Sequence, residues 1–187
     1  MTGDINLSLS ELKAMVAPPS GVAPRADWSD VEEAVGIQLP TDYRRLVDEY
    51  GGGYIDDYLY LLEPRCRNQY YDLAEAGAER TEALQYLWDG GEARPAELAA
   101  GTEVRVYPWA TTDNGEALYW LVIPGTSPDD WIVMVNEARG PRWERFDVGC
   151  LDFLVNVLSG RITSDILWSR FPTSPHSFHS IPALEPL

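Results

Sequence analysis

Lysine is almost missing from this sequence. Lys13 is the only one, beside 13 arginines, and these 14 bases face 30 acids, a formal net charge of −16. Phosphate binding needs a basic face, so this balance argues against nucleic acid as the main ligand and against an anionic membrane surface. Histidine is nearly as scarce. His176 and His179 are the two, both in a Pro- and Ser-rich stretch near the C-terminus. A His-x-x-His pair without further local ligands does not make a metal site. A hydrolase would also have to hold its general base rigidly in that stretch, so no catalytic residue and no metal is expected. The cysteines, Cys66 and Cys150, are isolated and read as reduced, packed thiols. No apolar run approaches the ~18 residues of a membrane span, and the N-terminal segment lacks the basic flank and apolar stretch of a signal peptide. The expected location is the cytoplasm.

The remaining composition is that of a folded chain. Its 187 residues suit one domain with an extension, and 45% hydrophobic and 11% aromatic residues exclude disorder despite the charge. Arginine in place of lysine, with many alanines, points to GC-rich bacterial coding. The charge is uneven. Residues 27–63 hold ten acids against two arginines, net −8, which is half of the total, whereas residues 1–26 and 161–187 are each neutral. A solubility surface explains net charge in general; its concentration in one segment points to a binding face for a basic partner.

Local patterns order the chain. Ser8-Leu9-Ser10-Glu11 and Ser29-Asp30-Val31-Glu32 read as capping boxes opening helices over Ser8–Ala17 and from Ser29 to Gly36. Leu39-Pro40-Thr41 leads into a third helix, capped by Thr41, with Tyr43, Leu46, Val47 and Tyr50 on one face. Gly51-Gly52-Gly53 ends it. This triglycine lacks the lysine and following helix of a phosphate loop, so it reads as helix termination and close packing. Tyr54–Leu62 reads as one strand. Residues 64–103 are irregular, with a helix around Leu84, Leu87 and Trp88 stopping at Gly90-Gly91.

From Val104 onward four strand-like runs follow: Val104–Trp109, Glu116–Ile123, Trp131–Asn136 and Trp143–Val148. A helix over Cys150–Leu158 and a short helix over Ile162–Phe171 complete the order. Helices followed by strands argue an α+β fold with an antiparallel sheet packed against helices. Residues 1–160 form the domain and 161–187 its extension, a short helix and then a Pro/Ser-rich tail. Trp28, Trp120 and Trp143 sit in apolar patterns and are expected in the core, while Trp88, Trp109 and Trp131 lie beside turns and are expected partly exposed. Asp56, Asp57, Asp113 and Glu116 are the carboxylates that a glycosidase-like pair would use. Simpler roles compete: Asp113 precedes the Asn114-Gly115 turn, and Asp56-Asp57 lie within a strand-like segment.

Trp28-x-x-Val31-Glu32-x-x-x-Gly36-x-x-Leu39-Pro40-x-Asp42-Tyr43, followed by Tyr50-Gly51-Gly52-Gly53, resembles the opening signature of the SUKH superfamily. That superfamily of cell-wall assembly regulators includes killer-toxin-resistance proteins and bacterial immunity proteins. Pro108-Trp109, Thr112-Asp113-Asn114-Gly115 and Leu118-Tyr119-Trp120 resemble its second block. Val133-x-Val135-Asn136-Glu137, Trp143, Phe146 and Phe153-Leu154 resemble its third, over residues 5–160 in all. The resemblance implies an α+β fold without enzyme activity or cofactor, and a partner that is a basic protein, a toxin domain. A regulatory or scaffolding module binding an endogenous protein is the alternative it implies. The expected contacts are Asp48, Glu49, Asp56, Asp57, Tyr58 and Tyr60, with Asp113, Glu116, Asp129 and Asp130 in reserve, on a monomer or weak homodimer.

Overall fold

A computed structural model describes residues 4–22 and 27–181. Five helices and seven strands follow the order α1 (Ile5–Met15), α2 (Ser29–Val35), α3 (Thr41–Tyr50), β1 (Gly53–Ile55), β2 (Leu59–Leu61), α4 (Leu73–Asp89), β3 (Arg105–Thr112), β4 (Ala117–Val122), β5 (Val133–Asn136), β6 (Trp143–Phe146), α5 (Cys150–Leu158) and β7 (Phe178–Ser180). The strands form one antiparallel sheet in the order β6-β5-β4-β3-β2-β1-β7. The fold is α+β. Among the described residues no helix is long and apolar enough to cross a membrane.

Every residue of β4 is buried, because helices cover both faces there. Leu118, Trp120 and Val122 join the larger core, against α1, α3 and α5. Ala117, Tyr119 and Leu121 point the other way, into a smaller core with Leu84 of α4, Leu98 and Met134. This is period-two alternation with both sides packed. Trp109 and Trp131 are buried despite their neighbouring turns.

Three helix starts are set by side chains from elsewhere in the sequence or from just ahead of the expected cap. Asp4, not Ser8, caps α1, accepting from the N–H groups of Asn6 and Leu7. Ser8 lies inside the helix, buried, and donates to Asp152. Glu32 does not close a capping box but accepts from Leu39 N (2.8 Å). Thr41 begins α3 with both its N–H and its hydroxyl donating to the Asp129 carboxylate (2.6 and 3.1 Å). Asp42 in turn accepts from Leu151 N (3.1 Å) at the start of α5. Burial raises the Asp42 carboxyl above its ordinary range, opposed by the hydrogen bonds it receives.

The expected Tyr54–Leu62 strand is a hairpin. Its β-turn, closed by Tyr58 N donating to Ile55 O, has Asp56 and Asp57 both at positive φ (53° and 54°), the type I′ pattern. The expected helix over Ile162–Phe171 is replaced by turns. The chain then returns along the hairpin, and β7 pairs with β1. Gly53 permits this: an added Cβ would overlap the Phe178 ring and stand 2.5 Å from His179 O. Gly53→Ala is therefore expected to unseat β7. Hydrogen exchange should show protection lost at Phe178–Ser180 and kept in β3–β5; unchanged protection of β7 would refute this packing.

Candidate interaction surface

The ten expected contacts divide into interior and exterior groups. Asp56, Tyr58 and Glu116 are interior, with 4%, 2% and 7% of their surface exposed, and as surface contacts they are corrected by that burial. Asp56 receives the returning C-terminal segment. Its carboxylate accepts from Thr173 N (3.1 Å) and Ser177 N (2.9 Å) and pairs with His176 Nδ1 (2.9 Å), while its own N–H donates to Ser177 O. The Tyr58 hydroxyl accepts from Trp168 N (2.8 Å) and donates to Glu116 Oε2 (3.1 Å), which also accepts from the Thr112 hydroxyl. Burial pushes the Tyr58 phenol up to about 12, so it keeps the proton it donates. These polar groups pin residues 168–177 to the hairpin. Phe171 packs on the Tyr58 ring (4.9 Å between centroids) and Phe178 on Tyr50 (5.1 Å).

Of the others, Glu49 pairs with Lys13 (2.6 Å) and Asp129 is taken by Thr41. Asp129 and Asp130 lie beside the first turn of α3, whereas Asp48 and Glu49 lie in its last turn. Ten helical residues rise ~15 Å, so these acids do not share one site. Asp57 and Asp113 are exposed at the hairpin end and enter no ion pair among the described residues.

Tyr60 belongs to a feature the sequence did not disclose. His179 of β7, Tyr54 of β1, Tyr60 of β2 and Thr111 of β3 stand directly opposite one another across four strands. They share the sheet face that α4 covers farther along, over β3. Their rings meet: His179–Tyr54 at 5.3 Å, Tyr54–Tyr60 at 5.2 Å, and Tyr60 stacked on Tyr71 at 4.8 Å. Burial, then the neighbouring Tyr71 and Asp113, push the Tyr60 phenol up to about 12. His179 is exposed, Tyr54, Tyr60 and Tyr71 are partly buried, and the adjacent Tyr70 is 67% exposed. The signal available in the sequence was the alternation of Tyr54, Tyr60 and Tyr71 with apolar neighbours, but pairing His179 with Tyr54 required knowing where the tail goes.

The two histidines thus serve different partners, one a buried carboxylate and the other a tyrosine ring. Among the described residues no group of three or more His, Cys, Asp or Glu is placed to hold a metal ion. Neither Cys66 nor Cys150 is in a disulfide. Burial pushes the Cys150 thiol well up, which makes it a packing group and not a nucleophile.

Neither the curated proteins nor the solved structures contain a match to this chain. A family model described as SMI1-KNR4 cell-wall, of SUKH type, matches residues 25–154. That span covers α2 through most of α5 and includes the hairpin, Asp57 and Asp113, but stops before the segment that brings His176 and His179. With more than half of its length matched, and with the antiparallel sheet and helices of an α+β fold, the chain belongs to the SUKH superfamily.

Proposed function

We propose that the protein is a non-catalytic binding module that neutralises a cognate toxin, of nuclease type, by occupying its basic cleft. Family membership supports the general part: SUKH domains are protein-interaction modules of the immunity or cell-wall-regulator kind. The observation that carries the specific part is the pair of exposed carboxylates Asp57 and Asp113, in no ion pair among the described residues, at the hairpin end of a protein of net charge −16. A nuclease must present cations to phosphate, and opposite charge on an inhibitor raises the association rate by orders of magnitude at low salt.

The experiment is capture of the toxin encoded beside this gene, followed by stopped-flow association. The expected result is a complex whose association rate falls steeply with salt. Asp57→Asn with Asp113→Asn should slow association several-fold with little change in dissociation, because rim charges act on encounter. A complex indifferent to salt, or a gene neighbourhood without any toxin, would count against neutralisation. The words cell-wall in the family description favour the second reading, a regulatory module for an endogenous protein. Capture of a wall or signalling protein in place of a toxin would establish that reading.

A further inference from the structure

We propose that the row His179–Tyr54–Tyr60–Tyr71, with Asp57 and Asp113 beside it, is the docking surface for a protein segment presenting arginine side chains. The proposal rests on the binding-module reading above and names the chemistry that the partner must carry.

Among the described residues this half of the sheet face is met by Tyr71, in the turn ahead of α4, stacked on Tyr60, and by no long helix. α4 lies over β3 and sends Leu84 into the cluster with Met134, while Leu73 and Ala76 at its start join the larger core. Aromatic side chains left on a sheet face hold apolar area at little cost in rotamer entropy, which is how binding anchors are built. The rings of Tyr54 are tilted by 39° to Tyr60 and by 35° to His179, so neighbouring rings do not lie flush, and the end ring, His179, is exposed. A guanidinium is planar and weakly hydrated. It stacks on such rings while its N–H fork reaches a carboxylate, a combination that a lysine ammonium matches poorly. The carboxylates are on hand: Asp113 is close enough to Tyr60 to raise its phenol, and Asp57 is at the tip of the hairpin whose strands carry Tyr54 and Tyr60. Charge complementarity therefore selects a basic occupant, and the aromatic row selects arginine within that class.

His179 lies beyond the family-matched residues 25–154 and reaches the row because Asp56 holds the tail. The fourth ring thus comes from a segment outside the family match.

The full chain is titrated with oligo-arginine and oligo-lysine peptides of equal length near physiological salt. The expected result is tighter binding of the arginine peptide by about fivefold, since one exposed stack is worth roughly two- to fivefold. His179→Ala and Tyr54→Ala should each shrink that preference, and the ring resonances of Tyr54 and Tyr60 should move in the unaltered protein. The resonance shifts need no variant, so misfolding of Tyr54→Ala cannot mask the outcome. Equal affinity for both peptides, or a preference unchanged by the substitutions with silent ring resonances, overturns the arginine site while leaving toxin capture and its salt dependence standing. Failure of both peptides to bind at low salt overturns the acidic-surface reading as well.

Discussion

Asp56→Ala should release the C-terminal segment and lower stability by about 3 kcal/mol, the scale of removing a buried charged acceptor from several N–H donors. The side chain is fully buried and serves Thr173 N, Ser177 N and His176 at once. All three donors belong to the tail, so the loss is limited by the energy with which the tail docks. Once the segment lifts, water satisfies them. Unfolding is thus expected in two steps, with exchange at β7 and changed Trp168 fluorescence preceding the global transition. Asp56→Asn keeps one acceptor oxygen and tolerance for positive φ, and should lose clearly less. Asp57→Ala is the control for backbone strain. Asp57 has nearly the same φ but is exposed, so only the left-handed cost of roughly 1 kcal/mol should appear. Equal effects at positions 56 and 57 would show that the turn, and not the clasp, accounts for the loss.

This pair of aspartates also marks the limit of what the sequence discloses. The acids concentrated in residues 27–63 suggested one binding face. Yet Asp56 and Asp57 are neighbours at similar φ, and one is swallowed by the tail while the other faces solvent. Charge density reports how many acids a segment carries, not which of them finds a buried donor. His176 is distant in sequence, and nothing local links it to Asp56. The same holds for Asp129, which capped α3 from across the fold while Thr41 alone was visible as the cap.

Elements with strong local signals were legible. The four strands after Val104 and the helix over Cys150–Leu158 were expected from alternation and spacing, and they form with boundaries shifted by a residue or two, up to three at the end of the first. Elements stabilised by distant contacts were not. Tyr54–Leu62 reads apolar throughout because both arms of a short hairpin are apolar, and only two aspartates that tolerate positive φ betray the turn. β7 has no pattern of its own: three residues after a Pro/Ser-rich stretch pair because Gly53 leaves room and Asp56 holds the preceding loop. α4 was half missed. Asp72-Leu73-Ala74-Glu75 is a serviceable start signal, with Asp72 accepting from Ala74 N and Glu75 N. The alanines and acids that follow give little amphipathic pattern, because α4 buries only Leu73, Ala76, Gly77 and Leu84.

Gly77 explains how so sparse a helix is seated. It sits in the middle of α4, where glycine costs about 1 kcal/mol relative to alanine. On an exposed helix Gly77→Ala would stabilise by that amount. Here a Cβ would overlap the Tyr107 hydroxyl and ring, with Cε2 at 2.8 Å. Tyr107 cannot yield easily. It is 8% exposed, lies beside the Trp120 ring, and donates its hydroxyl to Leu73 O (3.1 Å) in the first turn of the same helix. Overpacking of this kind costs roughly 1–3 kcal/mol or more. Gly77→Ala should therefore lower the unfolding free energy by about 2 kcal/mol net of its propensity gain, read as a lower denaturation midpoint. Tyr107→Leu removes the obstacle, and in that background Gly77→Ala should turn neutral or stabilising. A double-mutant cycle measures the coupling directly. If Gly77→Ala raises stability in the otherwise unaltered protein, the helix is not held where its backbone meets Tyr107. If it lowers it and Tyr107→Leu restores it, close approach at one glycine fixes α4 over β3. The β7–β1–β2 end of that face, with its aromatic row, then lies beyond the stretch that α4 is seated on.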